Sequence, residues 1–142
     1  MAIEPGHDDA GAMRRFGCGH CYASANPASQ AEQLGVLEKV SVLVDKSHFD
    51  VSVRRCTYCG QQFVFVWTEF VDLSGQDPQY WTLIPVDDAE LEAIIAMGRR
   101  PDLEYIGSLG LDRRCLAYNH PRDSAATWTW VENTRQWLTE GH

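Results

Sequence analysis

The chain has 142 residues and a formal net charge of −8, from 20 acidic and 12 basic side chains. That length suits one domain, and 44% hydrophobic residues with five tryptophans supply a core rather than a disordered chain. The acidic balance disfavours a nucleic-acid partner, whose affinity rests on Lys and Arg neutralising phosphates. It suits a protein partner, and a basic one best.

Residues 1–15 carry no apolar periodicity and read as a flexible tail, without the apolar stretch of a secretory signal. No apolar run approaches the ~18 residues of a membrane span, so the expected setting is the cytoplasm, without membrane contact. Residues 16–142 read as a single α+β domain built on an antiparallel sheet, with a metal-binding region over 16–71. Residues 23–33 are small and polar, a loop or one marginal helical turn. From Val36 to Val44 the pattern alternates, with Val36, Val40, Val42 and Val44 expected on one buried face. After a turn at Asp45–Ser47, Phe49, Val51 and Val53 alternate with polar residues in a second strand that runs into Cys56. Gln62 to Val71 is aromatic and β-branched, a strand buried on much of both faces.

The segment Asp72–Pro78 breaks the pattern, and Tyr80–Val86 is a further strand. The one main helix is predicted over about 87–98. Asp87 and Glu90 supply a capping-box spacing, Val86 and Leu91 a staple, and Gly98 and Pro101 the stop. Leu91, Ile94 and Ile95 are expected on its buried face. Short strands are predicted around Tyr105–Ile106, Cys115–Tyr118 and Thr127–Val131. Trp81, Trp128, Trp130 and Trp137, with Tyr80 and Tyr105, read as core. A partly exposed aromatic platform for a protein partner is the alternative.

Two cysteine pairs carry the chemistry: Cys18-Gly19-His20-Cys21 and Cys56-Thr57-Tyr58-Cys59-Gly60, with 34 residues between them. A C-x2-C loop aims two thiolates at one point, and two such loops make the tetrahedral cage that Zn2+ accepts in closed structural sites. One Zn2+ per chain on Cys18, Cys21, Cys56 and Cys59 is the reading, with Fe sharing the same ligand pattern. Gly60 suits the sharp turn after Cys59. Tyr22 occupies the matching place after Cys21, so the first loop needs another turn. His20 is expected to point outward, and Arg54 or Arg55 to soften the charge of four thiolates.

These residues resemble the four-cysteine module of zinc-ribbon and rubredoxin-like proteins, over Phe16 to about Val71. The run Phe70–Val86, with Gly75-Gln76-Asp77-Pro78-Gln79-Tyr80-Trp81, is similar to uncharacterised bacterial ribbon proteins. The resemblance implies a structural metal and leaves the activity open. The leading expectation is a non-enzymatic, metal-stabilised protein-interaction module, in its most specific form immunity- or antitoxin-like, with an acidic surface that blocks a basic toxin.

Three alternatives stand beside it. Cys18-Gly19-His20-Cys21 resembles the active-site tetrapeptide of protein disulfide isomerases, which would make Cys18 and Cys21 a dithiol oxidoreductase centre. However, no strand precedes it and Asn26-Pro27 interrupts the helix that should follow. The four pairs Arg14-Arg15, Arg54-Arg55, Arg99-Arg100 and Arg113-Arg114 would serve a nucleic-acid-binding ribbon. Cys115, with Tyr118, His120 and Asp123, could form a nucleophilic constellation, although a lone Cys in an apolar strand is usually core.

Overall fold

The computed structural model describes residues 14–132 apart from 74 and 76, together with Leu138. The predicted Trp137 and nearly all of the predicted tail lie outside the described residues. Six strands form one antiparallel sheet in sequence order: β1 (Leu37–Lys46), β2 (Phe49–Cys56), β3 (Gln62–Glu69), β4 (Gln79–Val86), β5 (Cys115–His120) and β6 (Thr127–Val131). Among the described residues three short helices accompany them, α1 (Gln30–Leu34), α2 (Asp88–Ala96) and α3 (Leu103–Ser108), with a 3-10 turn at Leu109–Asp112. The fold is therefore dominated by the sheet, and helix is its minor component.

Period-2 alternation in the central strands feeds two separate cores. Val51, Val53, Val64, Val66 and Ile84 point to one face, where they pack with Leu91, Ile94, Ile106 and Cys115. Phe63, Phe65, Trp81, Leu83, Leu116 and Tyr118 point to the other, with Leu37, Cys21 and Cys56. This is why Gln62–Glu69 reads as a nearly continuous apolar run. On the second face Trp81 stacks on Tyr118 at 5.4 Å, and Trp128 leans on Tyr118 at 5.3 Å. Trp128 and Trp130 both pack against this cluster, as their alternation predicts.

Strand β1 departs from the expected pattern. Its register against β2 shifts between Lys39 and Ser41 and again between Val42 and Val44. Each shift sets an extra residue into β1 and breaks the alternation. Val44 is buried, but Val40 and Val42 are 44% and 46% exposed.

Helix α2 begins as predicted. The Asp87 carboxylate accepts from the Glu90 N–H at 2.8 Å, and the Asp87 N–H donates to Glu90 Oε1 at 3.0 Å. Val86 and Leu91 join the same core. Ile95, expected on the buried face with Ile94, is instead 48% exposed. The short strand expected at Tyr105–Ile106 is helical. Asp102 caps α3 by accepting from the N–H groups of Glu104 and Tyr105, and that local bond outweighs the β preference of Tyr and Ile. Ser29 likewise caps α1.

Arg113 ties α2 to the start of β5. Its side chain is 1% exposed, and its guanidinium donates to both Glu90 oxygens at 2.7 Å, to the Pro85 carbonyl at 2.9 Å and to Asp112 at 2.8 Å. Burial alone would raise the Glu90 carboxyl, but the Arg113 fork and the Asp87 N–H outweigh it and hold Glu90 below its usual range. A carboxylate lowered on folding contributes stability above the unfolded carboxylate range, and loses it as pH falls through the folded value. The stability gap between wild type and Glu90→Gln, followed by urea unfolding, should therefore be full at neutral pH and close below about pH 4.

Candidate metal centre

The two cysteine loops meet on the second face of the sheet. The hairpin connection between β2 and β3 carries Cys56 at the end of one strand and Cys59 three residues on. The loop before α1 carries Cys18 and Cys21 across to them. The four Sγ atoms all lie within 4.8 Å of one another. Cys18 and Cys56 are 3.8 Å apart, Cys21 and Cys59 3.8 Å, and Cys18 and Cys21 4.0 Å. A tetrahedral ion with Zn–S bonds of ~2.3 Å requires sulfur–sulfur edges of about 3.8 Å. These three edges thus match a four-thiolate site, and the other three are no longer than 4.8 Å. Cys21 and Cys56 are buried, while Cys59 is exposed.

Backbone N–H groups surround the sulfurs. Tyr58 N donates to Cys56 Sγ and Gln61 N to Cys59 Sγ, both at 3.4 Å, and Gly60 sits between at φ +83°. In the first loop, His20 N donates to Cys18 Sγ and Cys18 N to Cys21 Sγ, again at 3.4 Å. The extra turn that Tyr22 cannot make is supplied before the cysteines. Gly17 takes φ +64°, and a Cβ there would lie 2.6 Å from Cys21 Sγ and 3.0 Å from Tyr22 Cβ. A Cβ at Gly19 would meet nothing within 4 Å. Gly17→Ala should therefore weaken metal retention against a chromogenic chelator by at least about tenfold, since a left-handed backbone alone costs about 1–2 kcal/mol for a residue with a Cβ. Gly19→Ala should leave retention unchanged.

Side chains fasten the loops at three places. Gln61 accepts from Gly17 N at 3.1 Å and donates to the Val86 carbonyl at 2.9 Å, so the first loop is fastened to β4 through the second. His20 and Tyr58, the third residues of the two C-x2-C units, stack at 3.7 Å. His20 belongs to no cluster of ligand atoms among the described residues. Arg114 donates to the carbonyls of Tyr22 and Ala23 and lies over the rings of Tyr22 and Trp130. Tyr22 answers by donating its hydroxyl to the Arg114 carbonyl at 2.7 Å.

Charge compensation differs from the expectation. Arg54 lies over Phe65 and donates to Ser52, and Arg55 pairs with Glu38, so the cage relies on backbone N–H groups. Without a cation the four sulfurs cannot all be thiolates. Burial pushes the Cys21 thiol far up and raises Cys59 as well. Cys18 is drawn down to about 7, chiefly by its backbone hydrogen bond with Cys21. A divalent cation held by the four sulfurs would relieve this conflict, because it favours their thiolate forms.

The other candidates do not assemble. Cys115 is fully buried, with its thiol pushed up to about 12 by burial. It packs in the first core, whereas Tyr118 packs in the second. His120 bonds Tyr118 at 3.3 Å from the far end of β5, about 17 Å along the strand from Cys115. Five of the eight paired arginines have partners within the chain, while Arg15, Arg99 and Arg100 are exposed. Arg14 pairs with Asp87 and Glu90, and Arg113 and Arg114 are engaged as described.

Compared with protein-family models, curated proteins and solved structures, the chain matches none. Among the described residues, no helix is long and apolar enough to cross a membrane.

Proposed function

We propose that Cys18, Cys21, Cys56 and Cys59 bind one structural Zn2+, and that the protein is a non-enzymatic interaction module held in shape by that metal. The observation that carries the metal reading is the match between the 3.8 Å sulfur separations and the edge of a tetrahedral thiolate site. The ion would be enclosed by four protein ligands with no position left for a substrate, which favours structure over catalysis. Elemental analysis of the purified protein should find about one zinc per chain. A metal-free preparation with an unchanged melting transition would contradict this, and iron in place of zinc would be visible in its colour.

The interaction reading rests on charge. The arginines at 14, 54, 55, 113 and 114 have carboxylate, carbonyl or aromatic partners within the chain, while Asp88 and Glu92 on α2 are exposed. The exposed carboxylates of α2, with the net charge of −8, suit a basic protein, as an immunity- or antitoxin-like role would require. Binding to such a partner should weaken with added salt, and charge reversal at Asp88 and Glu92 should lower its association rate. A candidate basic partner whose binding ignores both changes would refute this form of the reading.

A further inference from the structure

We propose that the protein forms a two-fold dimer by antiparallel pairing of β1 with β1 of a second copy, which joins the two sheets edge to edge. Strand β1 is an outer strand of the sheet, paired only with β2 among the described strands. It is ten residues long, and such an edge offers a row of backbone donors and acceptors. Val40 and Val42 stand 44% and 46% exposed on it, large apolar side chains where protected edges usually carry charge. A shallow groove of about 340 Å3, lined by Val42, Leu43, Val44, Asp45, Lys46 and Arg99, runs beside the same stretch.

The occupant is identified by the sequence of the strand itself. Glu38-Lys39-Val40-Ser41-Val42-Leu43-Val44-Asp45-Lys46 is complementary to its own reverse about Val42. Antiparallel pairing in that register sets Lys39 opposite Asp45 of the second copy, Val40 opposite Val44, and Val42 opposite itself. Glu38, which already holds Arg55 in its own chain, comes opposite Lys46. Opposite charges directly across an antiparallel pair stabilise it, as do β-branched pairs.

The two register shifts make Val40 and Leu43 the extra residues, two positions before Val42 and one after it. One lies between Lys39 and Ser41 and the other between Val42 and Val44. The pairing to β2 places Lys39, Val42 and Asp45 on the face of Arg54, Ser52 and Asp50. The charged pair and the central valines therefore share one face in both copies. A bulged edge is normally protected because its twist mismatches a flat partner. A second copy carries the same two bulges and therefore a similar twist, which favours it over a flat, unrelated strand.

Sedimentation equilibrium of the full-length, zinc-loaded protein over about 1–100 µM should show a monomer–dimer equilibrium. Val42→Lys, which sets two lysines against each other at the two-fold axis, should weaken the dimer at least about tenfold while zinc content and near-UV circular dichroism stay unchanged. Lys39→Asp should weaken it too, and adding Asp45→Lys in the same chain should restore it, a rescue that only the stated register explains. A monomer throughout, with the edge left to another chain, overturns the proposal. So does a dimer that Val42→Lys leaves intact.

Discussion

Cys56→Ser is expected to leave the protein without zinc and without a cooperative thermal transition. Structural zinc contributes apparent free energies of about 10–16 kcal/mol in small metal-folded units, comparable to the ~5–15 kcal/mol that holds a whole domain folded. The dependence is local in origin. Cys56 ends β2 inside the second core, next to Cys21 and Phe63, and Thr57 fastens the loop to the Val36 carbonyl through both N–H and hydroxyl. Without the metal, the Cys21 thiol would stay buried beside the hydroxyl that the substitution introduces. The segment leading into α1 would then keep its ties to Gln61, Tyr58, Arg114 and Trp130 but lose its anchor in the cage. Cys115→Ser is the matched control. Cys115 lies in the other core, so that variant should retain its zinc and lose only the stability that a buried polar hydroxyl removes. Equal metal loss in both variants would mean that the cage is not the binding site.

Arg113→Ala should destabilise the folded protein by about 3–5 kcal/mol, the usual effect of deleting one member of a buried ion pair. The loss exceeds that of an exposed pair such as Arg55–Glu38, which should contribute no more than about 1 kcal/mol. Removing Arg113 leaves Glu90 without its bidentate partner and the Pro85 carbonyl without its donor. It also takes a cation from the face of the Phe16 ring, 4.8 Å away. Because Glu90 closes the cap of α2, the damage should appear first in that helix. Urea unfolding gives the total effect, and a double-mutant cycle with Glu90→Gln isolates the pair. A coupling energy below about 0.5 kcal/mol would show that the fork contributes nothing beyond packing.

Much of this architecture is legible in local pattern. Alternation at Phe49, Val51 and Val53 identifies β2, and the Asp87–Glu90 spacing identifies the start of α2, because each depends on residues only a few positions apart. Cysteine spacing shows which sulfurs can converge, and the fold brings all four together. Elements that depend on partners distant in the chain are hidden. The bulges of β1 depend on its register against β2, which Val-Ser-Val-Leu-Val does not encode. Gly17 gains its meaning only when Cys21 Sγ lies beside it. Arg113 and Arg114 look like a solvated strand end until Glu90, Tyr22 and Trp130 close around them. Tyr105–Ile106 is a different case, since the Asp102 cap and the Leu103–Ile106 spacing are present in the sequence, and the β preference of two residues conceals them.

Whether four thiolates enclose one zinc ion, as proposed, is decided by X-ray absorption at the zinc edge of the protein as purified. A single shell of four sulfurs at about 2.3 Å, with no nitrogen or oxygen ligand, is expected. A shell containing light-atom ligands, or zinc bound at far below one ion per chain, would contradict it.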